Sequence, residues 1–141
     1  MKQVLCILLS LVSLHSFSQD LNDLGILSFD QTKKMNSSPP CEETTNKYLQ
    51  YCVEDGSNIC YTFNNYQKLN GIIFMKPYGT KSQAERAFEN DVLEFSNNVG
   101  KQAINKNGKT FFSVTSELGA TFEVTNFNGT FYVIFSSLLL N

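Results

Sequence analysis

The chain has 141 residues, of which 42% are hydrophobic, 13% aromatic and 17% charged, with a formal net charge of -2. That length accommodates one ordinary domain, and the apolar content excludes a wholly disordered chain. With one Arg among eleven basic residues and a slightly acidic balance, there is no general positive field to hold a phosphate backbone, so no nucleic-acid partner is expected.

Residues 1–18 read MKQVLCILLSLVSLHSFS. A single charge at Lys2 precedes an apolar run from Val4 to Leu14, and the small Ser16 and Ser18 precede Gln19. This is the three-part pattern of a secretory signal peptide cut before Gln19. The run is much shorter than the roughly 20 residues that span a bilayer, so no stable membrane insertion is expected after cleavage. A secreted or periplasmic location follows. Cleavage removes His15, the only histidine, and with it the usual general base and zinc ligand. No cofactor and no metal site are expected, and catalysis is disfavoured.

Cys41, Cys52 and Cys60 remain after the cut. An oxidising compartment favours one disulfide and one leftover thiol. In Cys52-Val-Glu-Asp-Gly-Ser-Asn-Ile-Cys60, a three-residue Asp55-Gly56-Ser57 loop places Cys52 opposite Cys60, at about the separation a disulfide requires. The expected pair is Cys52–Cys60, leaving Cys41 as the free thiol. A bridge from Cys41 to either of the others is the rival.

Residues 19–46 read as a flexible N-terminal arm, interrupted by Pro39-Pro40. Residues 47–141 read as a single α+β domain. Tyr48–Val53 and Asn58–Phe63 are the arms of the cysteine hairpin, and Leu69–Met75 is a strand stopped by Pro77. A helix follows: Thr80 and Ser82 are each followed three residues later by Gln83 or Glu85. Ala84, Phe88, Val92, Phe95 and Val99 then gather on one apolar stripe, and Gly100 is placed to end it in a left-handed conformation. Leu93 falls on the opposite side. After Gly100 the chain reads as an antiparallel meander. Asn107-Gly108 pairs Lys106 with Lys109 and Ile104 with Phe111, whereas Asn128-Gly129 pairs Val124 with Val133 and Phe122 with Phe135. Phe112, Val114, Phe122, Val124, Phe131, Val133 and Phe135 then share a core face, while Tyr132 and Ile134 sit unexpectedly on the solvent side.

The expected fold is a two-layer α+β architecture, one main helix packed on a curved antiparallel sheet. A strand, a long helix and a four-strand meander over Leu69–Leu139 resembles the cystatin-like arrangement. That family's Gln-x-Val-x-Gly hairpin is replaced at the matching turn by Asn105-Lys106-Asn107-Gly108-Lys109, and its Pro-Trp loop is absent because the chain has no Trp. The resemblance implies a protease-inhibiting hairpin.

Chemistry-bearing motifs are few. Glu85 and Glu89 lie four apart on the helix, where Lys81 and Arg86 offset them as a solvated face. Tyr48, Tyr51, Tyr61, Tyr66 and Tyr78 form the best candidate binding patch, because tyrosine presents a ring and a hydroxyl at modest entropic cost. Asn36-Ser37-Ser38 and Asn128-Gly129-Thr130 match the glycosylation acceptor pattern. The function expected is a non-catalytic domain binding a protein, peptide or glycan partner. Two alternatives compete with it: an inhibitor inserting the Asn107-Gly108 hairpin into an enzyme cleft, and a small hydrolase using carboxylates or Cys41.

Overall fold

The computed structural model describes residues 23–140. The expected leader, with Cys6, His15 and the cut before Gln19, lies outside the described residues. The elements run α1 (Phe29–Met35), β1 (Glu42–Thr44), β2 (Tyr48–Cys52), β3 (Asn58–Phe63), β4 (Leu69–Tyr78), α2 (Lys81–Val99), β5 (Ile104–Lys106), β6 (Lys109–Ser113), β7 (Leu118–Phe127) and β8 (Thr130–Leu139). All eight strands join one antiparallel sheet in the order β1-β2-β3-β4-β8-β7-β6-β5. The fold is α+β and dominated by its sheet, with two helices where the sequence suggested one.

The second helix comes from the arm. Ser28 caps α1 reciprocally: its hydroxyl accepts from the Gln31 amide at 3.3 Å, and its own amide donates to Gln31 Oε1 at 2.9 Å. Asp30 in the first turn and Lys33 and Lys34 in the last complement the helix dipole. Seven residues would not hold a helix in isolation. Burial does it, through Leu24, Phe29 and Thr32, with the Phe29 ring edge-on to Phe63 at 5.3 Å. Just before α1, Gly25 N–H donates to Leu69 O and Leu69 N–H to Leu27 O, at 2.6 and 2.8 Å. Leu24, Phe29 and Thr32 therefore hold the first part of the arm against the sheet.

Helix α2 follows its sequence pattern. The Thr80 hydroxyl accepts from Gln83 N–H, and Gly100 closes the helix at φ 63°. Phe88, Val92, Phe95 and Val99 pack on Phe112, Ala120, Phe122 and Phe135, whereas Leu93 points outward at 62% exposure.

The two helices cover the same face of the sheet. Along β4 and β8, Ile72, Phe74, Val133 and Phe135 face inward and alternate with Ile73, Met75, Tyr132 and Ile134, which face outward. Leu49, Tyr51, Tyr61 and Phe63 continue the inner face across β2 and β3 under α1. One irregularity keeps that face continuous. The pairing steps from Thr62↔Gly71 to Phe63↔Leu69, leaving Asn70 as an extra residue in β4. Without this bulge, alternation would turn Leu69 outward; with it, Leu69 is 1% exposed. Asn70 Oδ1 accepts from the Thr62 hydroxyl at 3.0 Å, fixing the bulge. Next to it a Cβ on Gly71 would stand 2.5 Å from both Thr62 Oγ1 and Leu138 Cδ2, so a larger residue would have to displace those side chains.

The cysteine hairpin differs from expectation. Cys52 pairs with Asn58 and Gln50 with Cys60, so the loop spans residues 53–57 rather than 55–57. Val53 N–H donates to Ser57 O, and Asp55 Oδ1 accepts from Ser57 N–H, at 2.8 Å each. These bonds hold the longer loop and carry Cys60 two residues past Cys52. The disulfide is Cys41–Cys52, with Cα atoms 5.9 Å apart, and Cys60 is the free thiol. This corrects both the Cys52–Cys60 pairing and the free Cys41. The physical reason is β1, a strand the sequence did not signal, which pairs with β2 from Glu42↔Gln50 to Thr44↔Tyr48 and brings Cys41 to the edge of Cys52.

Candidate functional site

The five tyrosines singled out from the sequence do not share one surface. Tyr51 and Tyr61 meet edge-to-face at 6.0 Å, but both are buried in the inner core. Tyr48 is on the outer face, its hydroxyl donating to Gln50 Oε1 at 3.0 Å; burial first, and then Glu42, push its pKa up to about 12. Tyr66 is 86% exposed in the loop between β3 and β4. Tyr78 ends β4 beside α2 with Lys76 over its ring at 5.9 Å, and burial, Asp91 and Asp55 raise it to about 12. The clustering in sequence placed these residues on adjacent strands, but alternation sent them to opposite faces.

The same alternation builds a surface that the sequence marked only through Tyr132 and Ile134. On the outer face, Ile73 stands between Cys60 and Ser136, and Met75 between Asn58 and Ile134. Tyr132 lies next along β8, opposite Pro77 and Thr125. Phe111 and Ile104 extend the row through Thr121, and Leu138 extends it along β8. Ile73, Met75, Tyr132 and Ile134 are half-buried by one another, while Ile104, Phe111 and Leu138 are exposed. Both described helices pack on the inner face, so among the described residues no helix covers this apolar centre. Polar side chains interleave with it: Glu123, opposite Ile134, pairs with Lys109 at 2.9 Å, and the Thr121 and Ser136 hydroxyls, between Ile73 and Phe111, hydrogen-bond at 2.7 Å.

A second feature lies at one end of the sheet. Asn107 and Gly108 at φ 54° and 74°, and Asn128 and Gly129 at φ 51° and 85°, form two hairpin turns of the left-handed kind. The registers are those expected, Lys106↔Lys109 and Phe127↔Thr130. Gly108 and Asn126 border the same groove of about 610 Å³, whose apolar floor is Phe88, Val124 and Phe131 and whose rim is Lys81, Glu85 and Glu89. Phe127 projects beside it at 68% exposure.

Two carboxylates of α2, Glu85 and Glu89, share the rim of this groove. Glu85 is bound to Lys81 at 3.4 Å. Asp91 is different. Burial pushes its pKa up from 3.8 to about 6, with Lys76 opposing and Glu94 assisting the rise. The folded state therefore holds this proton more tightly than the unfolded chain. Its contribution favours folding below about pH 4 and is lost as pH rises towards 6. Asp91→Asn is expected to stabilise the protein at pH 7 by on the order of 2 kcal/mol, after discounting for partial exposure. The gain should vanish below pH 4, as read by urea unfolding across that window; equal stability of the two proteins at both pH values would refute it.

Cys41 is bonded to Cys52 and carries no free thiol in this structure. Among the described residues, no three His, Cys, Asp or Glu side chains gather as metal ligands, and no helix is long and apolar enough to cross a membrane. No family model, curated protein or solved structure matches the chain.

Proposed function

We propose that this chain is an exported, non-catalytic binding domain that engages a protein or peptide partner through the outer face of its sheet. The observation that carries the reading is the apolar centre of Ile73, Met75, Tyr132 and Ile134, which no helix covers among the described residues and which polar and charged side chains adjoin. Contiguous apolar surface next to polar side chains marks interaction sites. Export is supported by the leader pattern and by a disulfide that an oxidising compartment maintains.

A photo-crosslinking residue at Ile134, in protein kept in its native surroundings, is expected to give a discrete covalent adduct. The same residue at Leu93, exposed and apolar but on α2, should give none. Ile134→Lys should then weaken the partner by about thirtyfold or more, the size of a central contact, with little change in unfolding midpoint. Equal adducts from both positions would sink the reading.

A second reading has an observation of its own. The Asn107-Gly108 and Asn128-Gly129 turns share one end with exposed Phe127, as a wedge entering an enzyme cleft requires, and the cystatin-like topology suggested by the sequence belongs with it. Removing the Asn107-Gly108 turn would abolish inhibition in this case and leave the Ile134 adduct intact.

A further inference from the structure

Three cysteines meet at one edge of the sheet, and only two are bonded. Strand order places Cys41 beside β1, Cys52 on β2 and Cys60 on β3, so the middle cysteine of the row is the bridged Cys52. Cys60 faces Gln50, and Cys52 is the next outward residue along β2 from Gln50, which makes Cys60 and Cys52 a diagonal pair. Gln50 lies between them. Its Nε2 donates to Cys52 Sγ at 3.7 Å, and Cys41 Sγ approaches the Gln50 carbonyl at 3.4 Å.

We propose that these residues form an intramolecular thiol–disulfide exchange site, in which Cys60 displaces Cys41 from Cys52 and so releases β1 from its covalent tie. The Cys60 thiolate attacks Cys52 Sγ. A Cys52–Cys60 bond forms as the Cys41–Cys52 bond breaks, the electron pair leaves on Cys41 Sγ, and that sulfur takes up the proton lost from Cys60. One disulfide and one thiol exist before and after, so no oxidant or reductant is consumed.

The exchange requires the hairpin to change its register. Diagonal neighbours stand roughly 7–8 Å apart, beyond disulfide reach, so the hairpin end has to open. Cys52↔Asn58 is the last pair of the β2–β3 ladder, next to the 53–57 loop. Shifting the hairpin by two residues, to the three-residue loop, puts Cys52 opposite Cys60. A two-residue shift preserves alternation, so Leu49, Tyr51, Tyr61 and Phe63 all remain on the inner face. The titratable groups facing Cys60 are Glu42 of β1 and Tyr48 of β2, and the β4 residue across from it is Ile73. Burial first, and Glu42 second, raise the Cys60 pKa. The site is therefore held back near neutral pH and opens as the solution becomes alkaline. This device is independent of which partner occupies the outer face.

The test uses the full chain with Cys6→Ser, folded and without denaturant, mapped by non-reducing digestion and thiol alkylation over time. A Cys52–Cys60 peptide should appear together with alkylated Cys41. Its first-order rate should be independent of protein concentration and rise about tenfold per pH unit below the thiol pKa. Gln50→Ala, which clears the path, should speed it several-fold if the variant is folded, and Cys60→Ser should abolish it. If the native chain keeps Cys41–Cys52 alone at about pH 8.5 while a urea-unfolded sample scrambles, the proposal is wrong. A rate proportional to protein concentration would equally overturn it, since exchange would then occur between molecules.

Discussion

Phe95→Ala is expected to cost about 3–5 kcal/mol of folding stability, the range for truncating a buried aromatic side chain. The Phe95 ring of α2 meets three sheet rings, Phe112 at 5.0 Å, Phe122 at 5.3 Å and Phe135 at 5.5 Å. Those rings also touch one another, Phe122–Phe135 at 4.9 Å and Phe112–Phe122 at 6.0 Å. The cluster spans β6, β7 and β8, so the backbone cannot collapse into the space left by alanine. Edge-on and tilted geometry adds to the transfer energy lost with the ring. Against a typical domain stability of about 5–15 kcal/mol, this loss removes about a fifth or more. Phe95→Leu should cost roughly 1–2 kcal/mol, and Leu93→Ala, on the exposed side, less than about 0.5 kcal/mol. Urea unfolding of the three variants reads the order directly. A Phe95→Ala loss no larger than that of Leu93→Ala would show that α2 does not close the inner face.

The second large effect concerns the sheet edge. Replacing both Cys41 and Cys52 by Ser is expected to lower stability by about 2–3 kcal/mol, the loop-closure contribution for a short cross-link. The two cysteines lie 11 residues apart in sequence and enclose the β1–β2 hairpin. All three β1 residues are exposed, so packing contributes little to holding that strand. Its other ties are three ladder positions and the ion pair between Lys33 of α1 and Glu43 at 2.6 Å, an exposed pair of modest worth. Hydrogen exchange should accelerate first at residues 41–44 and at the β2 edge, with the Phe95 cluster still protected. Uniform acceleration throughout the sheet would mean that the bridge supports the whole fold rather than its edge.

The short-range features were legible in the sequence because neighbouring residues create them. Helix α2 needed only an apolar stripe, a Thr80 cap and Gly100, and it runs from Lys81 to Val99. The two Asn-Gly turns set the β5–β6 and β7–β8 registers to the residue, since a two-residue turn admits one pairing. Even the uncovered face left a trace, in Tyr132 and Ile134 at positions where alternation calls for polar side chains.

Other features depended on contacts between distant segments. Nothing local announces that β4 pairs with β8, the junction that joins the cysteine hairpin to the meander and makes a single sheet. The arm reads as loose because α1 and β1 are too short to persist alone; Leu24 and Phe29 become structural through Phe63 and Leu69, which lie some forty residues away. In the cysteine hairpin both loop lengths obey the same alternation, so no pattern of apolar and polar residues distinguishes them. Hydrogen bonds inside the 53–57 loop, and a β1 strand visible only once it pairs, decided that Cys52 joins Cys41. Local sequence thus determined the helix, the turns and which residues alternate, because those depend on bonds a few residues long. Tertiary structure alone decided the cysteine pairing and the burial of Tyr51 and Tyr61, because each depends on which distant strand arrives alongside.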